Sequence, residues 1–182
     1  MDLSAATPVS IDELLASCPA SPAVEIPGAA GYFGPFGLGK RPVWLGGWGA
    51  RPAATPVAAS AAQSDKTEQF LIRNTAPKIP GYGWPMKALW VIDPQNFRGT
   101  VTIHGSSRDG SVPLWFQING GAITQRAVLD PEHPAIPIQH GDWREFPSYV
   151  IFPATGCFHI MVEWDGGSWR AQVPFFAADS EP

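Results

Sequence analysis

Imidazole and carboxylate side chains come closest together in one short segment of the chain, residues 130–142. His133, His140 and Asp142 lie there beside two further carboxylates. Nitrogen and oxygen ligands of this kind hold zinc and other borderline divalent cations. Their spacing matches no defined zinc pattern, and the segment lacks the closely alternating oxygen ligands of a calcium loop. His133, His140 and Asp142 are therefore candidate metal ligands, and the competing interpretation is a solvated polar loop.

Nucleophilic catalysis has no comparable candidate. Ser60 and Ser106 lack the Gly-x-Ser-x-Gly surroundings of a hydrolase nucleophile, and no two acidic residues stand out as the carboxylate pair of a glycosidase. We therefore nominate no catalytic residue and expect no cofactor. The sequence favours a protein that is not an enzyme, and a metal-dependent hydrolase built on residues 130–142 is the least favoured alternative.

Tryptophan is the most over-represented residue type that could bind a ligand, with eight in the chain. Trp48, Trp84, Trp115 and Trp143 lie next to glycines, turns or alternating runs, where an indole is expected to be partly exposed. Exposed indoles stack against sugar rings or form hot spots of protein interfaces. The four residues are therefore candidate ligand-binding residues. The competing interpretation is that they cover the edges of the core, since much of any folded surface is apolar.

The chain has two cysteines, Cys18 near its start and Cys157 near its end. We predict that they form one disulfide, which would tie the two ends of a single domain together and indicates an oxidising compartment. The alternatives are two free thiols in a reducing compartment and lipidation of Cys18, since residues 15–18 match a short lipoprotein cleavage pattern. Asp12 and Glu13 argue against lipidation, because they lie where a signal peptide has an apolar run.

The elements that position these residues are predicted to be short strands. Twenty prolines and nineteen glycines disfavour long helices and favour many turns. Eight apolar or alternating runs, each bounded by turn residues, predict an all-β fold, an antiparallel β-sandwich of about 7–9 short strands. The runs are residues 43–48, 69–74, 87–92, 100–106, 114–118, 145–152, 157–164 and 169–176.

The chain is expected to form one domain, residues 18–178, between two tails. In the first tail, residues 1–17, Ser10 and Glu13 have the spacing of a capping box and predict one helical turn. The second tail is residues 179–182.

Two segments within the domain are predicted to be loops. Residues 49–66 are rich in alanine, proline and serine, a composition typical of a mobile loop. Residues 124–142 contain several prolines and are predicted to cross between strands with little ladder pairing.

Side-chain alternation in the strand at 157–164 predicts where Cys157 points. Phe158, Ile160, Val162 and Trp164 share one face, so this face is assigned to the core. The strand that follows alternates in the same way. Cys157 therefore points outward, and a disulfide to it would clamp the N-terminal segment onto the outer face of a sheet.

Composition argues against two classes of partner. The net charge is −4 and no basic run is present. Neutralisation of phosphates by lysine and arginine supplies most nucleic-acid affinity, so a nucleic-acid partner is not expected. No stretch approaches the roughly 20 apolar residues of a membrane-spanning helix.

The first residues show no export signal, and we expect that such a signal was removed from a protein located outside the cell or in the cell envelope.

Several short motifs occur together in the chain. They are Ser17-Cys18-Pro19, Gly34-Pro35-Phe36-Gly37, Pro42-Val43-Trp44-Leu45, Lys87-Ala88-Leu89-Trp90-Val91 and Phe152-Pro153-x-x-Gly156-Cys157-Phe158. Together they resemble a loose group of bacterial exported proteins, which carry an N-terminal Cys-Pro and a late Pro-x-x-Gly-Cys-Trp. Phe158 stands where that group usually has tryptophan. The resemblance implies an immunoglobulin-like sandwich and an envelope location, and no activity, because the group has none established.

These observations lead to one favoured function. We expect a non-enzymatic, exported or cell-envelope module that binds a protein partner or a second copy of itself. The alternative is a carbohydrate-binding domain that holds a glycan through Trp48, Trp84, Trp115 and Trp143.

Overall fold

A computed structural model of the protein describes residues 10–27, 36–47, 72–74, 76–93, 95, 97–133 and 143–177. One short helix and twelve strands lie in these ranges. They are α1 (Ile11–Ser17), β1 (Val24–Glu25), β2 (Phe36–Lys40), β3 (Val43–Gly46), β4 (Ile72–Asn74), β5 (Trp84–Ile92), β6 (Val101–Ser107), β7 (Trp115–Ile118), β8 (Ile123–Thr124), β9 (Arg126–Leu129), β10 (Arg144–Phe152), β11 (Gly156–Trp164) and β12 (Gly167–Ala177).

Two sheets pack face to face around the main core. One has seven strands in the order β1-β2-β3-β5-β10-β7-β8, and the other has five in the order β4-β12-β11-β6-β9. Among the described strands only β4 and β12 pair in parallel, and the other pairs are antiparallel. The predicted all-β class and the antiparallel sandwich are confirmed. The eight predicted runs correspond to β3–β7 and β10–β12. The sequence pattern missed β1, β2, β8 and β9, so the described strands outnumber the predicted 7–9.

Side-chain alternation along β11 and β12 separates the core from the outer face. Phe158, Ile160 and Val162 of β11 are buried to 2 % exposure or less within the main core. Trp169 and Val173 of β12 lie in the same core. The predicted core face of this hairpin is therefore confirmed, and the intervening residues form the outer face of the five-stranded sheet.

A tryptophan pair connects the two sheets through the core. Trp90 of β5 and Trp169 of β12 stack with ring centroids 6.3 Å apart. Trp169 Nε1 donates a hydrogen bond of 2.9 Å to the carbonyl oxygen of Val43 in β3. This bond satisfies the buried indole N–H of Trp169 and joins β12 of one sheet to β3 of the other.

The helix α1 begins at the predicted capping box. The backbone N–H of Glu13 donates to Ser10 Oγ at 3.2 Å, and the backbone N–H of Ser10 donates back to the Glu13 carboxylate at 3.0 Å. The hydrogen bond from the Ser10 backbone, together with one of 2.9 Å from the Ser10 hydroxyl to the same carboxylate, lowers the pKa of Glu13. Leu14 on the inner side of the helix is buried, so the helix lies against the sandwich.

The segment at residues 124–142 differs from its predicted structure. Its first part forms β9 (Arg126–Leu129), which pairs with β6 at the edge of the five-stranded sheet. Ala127 and Leu129 are buried while Val128 is 57 % exposed, which is the alternation of a half-buried strand. The prediction of little ladder pairing was therefore wrong here, because the prolines lie beyond the strand and do not interrupt it.

Some predictions fall on residues that the structure does not describe. The loop at 49–66 and the tail at 179–182 lie outside the described residues, as do residues 1–9 of the first tail. No helix within the described ranges has the length and apolar character needed to cross a membrane.

Candidate functional site

The predicted disulfide is present and lies on the outer face of the five-stranded sheet. Cys18 follows α1, Cys157 belongs to β11, and their Cα atoms are 5.6 Å apart. The two cysteines pack with Ile11, Leu14 and Phe176 in a small cluster separate from the main core. Cys157 thus points away from the core, as predicted, and the bond attaches α1 to the sheet.

Beyond the disulfide, the chain crosses the same face and bonds to β12. The backbone N–H of Ser21 donates to the carbonyl oxygen of Gln172 at 2.9 Å. The backbone N–H of Gln172 donates in return to Ser21 Oγ at 2.8 Å, and its side-chain Nε2 donates to the carbonyl oxygen of Pro19 at 2.9 Å. Residues 18–21 are therefore held against the strand by a covalent bond and three hydrogen bonds.

An arginine at the opposite side of this segment completes the attachment. Arg108 lies in the turn after β6, and its backbone N–H donates to the carbonyl oxygen of Cys157 at 2.8 Å. Its Nη1 donates to the carbonyl oxygen of Ser17 at 2.7 Å. This carbonyl is at the C-terminal end of α1, where a cation is favoured by the helix dipole.

His159 of β11 is oriented by its neighbours on β12. Gln172 uses its Nε2 as a donor to Pro19, so its Oε1 is the acceptor for His159 Nε2–H, at 3.0 Å. This assigns the proton of the neutral imidazole to Nε2 and leaves Nδ1 as an acceptor. The guanidinium of Arg170 contacts the imidazole at both ring nitrogens, and its Nη2 donates to Nδ1.

These side chains line a shallow surface depression of about 430 Å³, which we call the arginine cleft; it is formed by Ser21, Arg108, His159, Arg170 and Gln172. A second depression of about 300 Å³ shares three of these residues. Within the described part of the chain, neither arginine forms an ion pair with a carboxylate. The cleft is therefore a surface with two guanidinium groups whose charges are not neutralised locally.

The acidic residue that lines the second depression, Asp109, is hydrogen-bonded within its own turn. Asp109 accepts hydrogen bonds from the hydroxyls of Ser107 and Ser111 and from the backbone N–H of Ser111. These bonds, with that of Ser107 the largest contribution, lower the pKa of Asp109 to about 2. Asp109 forms no ion pair with either arginine of the cleft within the described part of the chain.

A third arginine on this face is paired, in contrast to those of the cleft. Arg126 Nη2 lies 3.7 Å from the carboxylate of Glu163. The same carboxylate lies 3.2 Å from His104 Nε2. Arg126, Glu163 and His104 thus form an exposed cluster on β9, β11 and β6 that satisfies its own charges.

The predicted metal ligands are only partly described. His133 is exposed, and its Nδ1 lies 2.9 Å from the Asp130 carboxylate. This pairing raises the pKa of His133 and, through the same hydrogen bond, lowers that of Asp130. His140 and Asp142 lie outside the described residues. Within the ranges that the structure does describe, no three His, Cys, Asp or Glu side chains form a group able to hold a metal ion.

The candidate tryptophans occupy different parts of the sandwich. Trp84 packs partly buried against the main core, and Lys78 Nζ lies 4.5 Å from the centre of its ring. Trp115 and Trp143 are half-buried. Trp115 is opposite Ile151 near the end of β10, whereas Trp143 immediately precedes the start of that strand. Trp48 lies outside the described residues.

The two half-buried tryptophans each contact one other aromatic ring. Trp115 packs edge-on against Tyr82 with centroids 5.1 Å apart. Trp143 packs edge-on against Trp44 at 5.4 Å. Because they lie at opposite ends of β10, these pairs form two separate aromatic surfaces, and the structure does not bring the described candidates together in one place.

Sequence reasoning missed the arginine cleft, although one part of it was predictable. A two-residue turn, Asp165-Gly166, joins β11 to β12, with Gly166 at a φ of 87°. Asp-Gly is a strong signal for such a turn. It sets the register that places His159 opposite Gln172. The contributions of Ser21 and Arg108 had no comparable local signal.

No protein-family model matches the chain, and neither a curated protein nor a solved structure matches it.

Proposed function

We propose that this protein is a non-enzymatic binding module that associates with a partner through the outer face of its five-stranded sheet. It acts outside the cell or in the cell envelope. The partner is a protein or a second copy of the chain. The arginine cleft lies at the centre of the proposed contact surface.

The placement of the disulfide is the observation that carries this proposal. A disulfide that only stabilises a sandwich can lie in the core between the sheets, as in antibody domains. Here Cys18 and Cys157 join a surface segment to an outer face. The bond fixes the carbonyl groups and the hydroxyl that hold Arg108 and Gln172 in place, and Gln172 in turn holds His159. Side chains that are already ordered lose less entropy on binding, so this surface is suited to a binding role.

The hydrogen-bond partners of the histidines support a role without catalysis. His104 is paired with Glu163, His133 with Asp130, and His159 with Gln172 and Arg170. None of these three histidines, within the described chain, is hydrogen-bonded to a serine or threonine hydroxyl that it could activate as a nucleophile.

Two observations support a location outside the cytoplasm. Structural disulfides form and persist mainly in oxidising compartments, and both cysteines of this chain are used in one. The resemblance to exported sandwich proteins, carried by the Ser17-Cys18-Pro19 and Gly156-Cys157-Phe158 motifs, agrees with an envelope location.

The proposal is tested by photo-cross-linking at matched positions on the two sheets. p-Benzoylphenylalanine replaces Met161, which faces outward beside the cleft, or Tyr149, which is 40 % exposed on the seven-stranded sheet. Irradiation of the oxidised protein with the native envelope fraction should yield one defined product at position 161 and not at 149. Excess unlabelled protein should compete the product away, and mass spectrometry identifies the partner.

Two outcomes would contradict the proposed surface. Equal labelling from both positions would mean that association is non-specific. A competed product at position 149 alone would place the binding surface on the other sheet, where Trp115 and Tyr82 form an aromatic pair.

That aromatic pair favours a second candidate function, the binding of a neutral glycan. Both rings are half-buried, and partly exposed aromatic faces stack on sugars. Titration of the protein with oligosaccharides should then change tryptophan fluorescence, and Trp115→Ala should abolish the change. An unaltered response in that variant would remove this candidate.

A further inference from the structure

The two arginines of the cleft are prepared for an anion by contacts that leave their charge unneutralised. Arg108 is fixed through Nη1 to the carbonyl oxygen of Ser17. Arg170 is fixed through Nη2, which donates to His159 Nδ1. A guanidinium has five N–H donors, so each arginine keeps several donors after these contacts. Because the side chains are already ordered, binding would immobilise little additional side-chain entropy.

A neutral donor lies beside the two cations. Ser21 Oγ accepts a hydrogen bond from the backbone N–H of Gln172. Its own hydroxyl hydrogen forms no bond within the described chain and is available as a donor. Ser21, Arg108 and Arg170 therefore offer donors to one depression from three separate segments of the chain.

The number of these donors, and their origin in three segments of the chain, bear on the shape of the anion. A carboxylate has two oxygens in one plane and is satisfied by a single arginine fork. Two guanidinium groups that come from the β6–β7 turn and from β12, with a hydroxyl from the clamped segment, suit a group with more oxygens distributed around its centre. A tetrahedral oxyanion such as phosphate or sulfate has this arrangement.

We propose that the arginine cleft binds a tetrahedral oxyanion, a phosphate or sulfate group carried by the partner of this face. This inference rests on the proposed function, because it names the chemistry by which the same surface would recognise its partner. Arg108 and Arg170 supply the charge. Gln172 holds His159, and thereby Arg170, in position.

The test is a titration of the oxidised protein with inorganic phosphate, inorganic sulfate or acetate at constant ionic strength. Binding is measured from the amide chemical shifts in NMR spectra. Saturable shifts are expected at Ser21, Arg108 and Gln172 for phosphate or sulfate, with acetate weaker. The dissociation constants of phosphate and sulfate show which of the two groups the cleft binds more tightly. Acetate that binds as tightly as both would overturn the tetrahedral assignment.

Matched variants separate the cleft from general electrostatics. Arg170→Gln should weaken binding about ten-fold or more, the value expected for a lost hydrogen bond to a charged group. Arg126→Gln removes the same charge from the same face, but its guanidinium is already paired with Glu163. It should change the dissociation constant less than about two-fold, since only long-range attraction is lost. Equal weakening in the two variants would refute the site.

A second cleft variant and a fold control keep the result interpretable. Arg108→Gln should also weaken binding, and near-ultraviolet circular dichroism checks that each variant retains its tertiary structure. If the anion titration succeeds but cross-linking at position 161 captures nothing, the anion site stands and the proposed function fails. If cross-linking succeeds and no anion shows saturable binding, only the present inference fails.

Discussion

Breaking the bond between Cys18 and Cys157 should destabilise the protein mainly through the unfolded chain. The two residues are separated by 139 positions in the sequence. For a loop of this length the chain-entropy relation gives a stabilisation of about 5 kcal/mol at 25 °C. This value is an upper bound, because it assumes that the reduced protein keeps its native structure everywhere.

The reduced protein has a second way to respond, which lowers the measured loss. The segment that contains α1 can detach from the sheet while the sandwich stays folded. What then holds it is the burial of Leu14 with Phe176 and the hydrogen bonds of Ser21, Gln172 and Arg108, each of which contributes about 1 kcal/mol net. We therefore expect the free energy of unfolding to fall by about 2–4 kcal/mol on reduction.

The assay compares urea unfolding of the oxidised and the reduced wild-type protein. Reduction keeps both sulfur atoms, so it opens the loop without leaving the cavity that Cys→Ala substitutions would create. Hydrogen exchange at the amides of Ser21 and Gln172 reports on the segment itself and should become faster in the reduced protein. A loss of less than about 1 kcal/mol, with unchanged exchange at these amides, would refute the reasoning that the disulfide holds the segment in place.

Three further predictions test the fold and the electrostatics. Gly83→Ala should destabilise more than Gly81→Ala, because both have positive φ angles (134° and 80°) but only at Gly83 would a Cβ lie 2.2 Å from a backbone oxygen. In chemical denaturation we expect about 1 kcal/mol for Gly81→Ala and at least about 2 kcal/mol more for Gly83→Ala, and equal losses would contradict the steric argument. Trp169→Phe removes the hydrogen bond to the Val43 carbonyl and should lower the free energy of unfolding by about 1–3 kcal/mol, whereas an unchanged denaturation midpoint would show that this bond does not hold the sheets together. The hydrogen bonds that lower the pKa of Asp109 stabilise the folded state above pH 3.8, and this contribution is lost as the pH falls through about 2. The thermal midpoint of the Asp109→Asn variant should therefore fall less steeply with decreasing pH over that range. An equal slope in the variant and the wild-type protein would contradict this.

The sequence by itself determined much of the local structure. Alternation placed Phe158, Ile160 and Val162 in the core and Cys157 outside it, because neighbouring side chains of any strand point to opposite faces. With two cysteines only one pairing within the chain was possible. The spacing of Ser10 and the residue three positions later was sufficient for the helix start, since a capping box closes within one turn.

Only the tertiary structure decided where the candidate site is. Ser21, Arg108 and Arg170 come from a clamped segment, a turn and a strand that are far apart in the sequence. Their meeting depends on which strands pair and in which register, and on the path of a segment that crosses the outer face. Long-range packing and the disulfide determine this pairing, this register and this path. No local pattern of residue types predicts them. For this reason the sequence does not indicate that His159 lines one depression together with Arg108 and Arg170 in the folded protein.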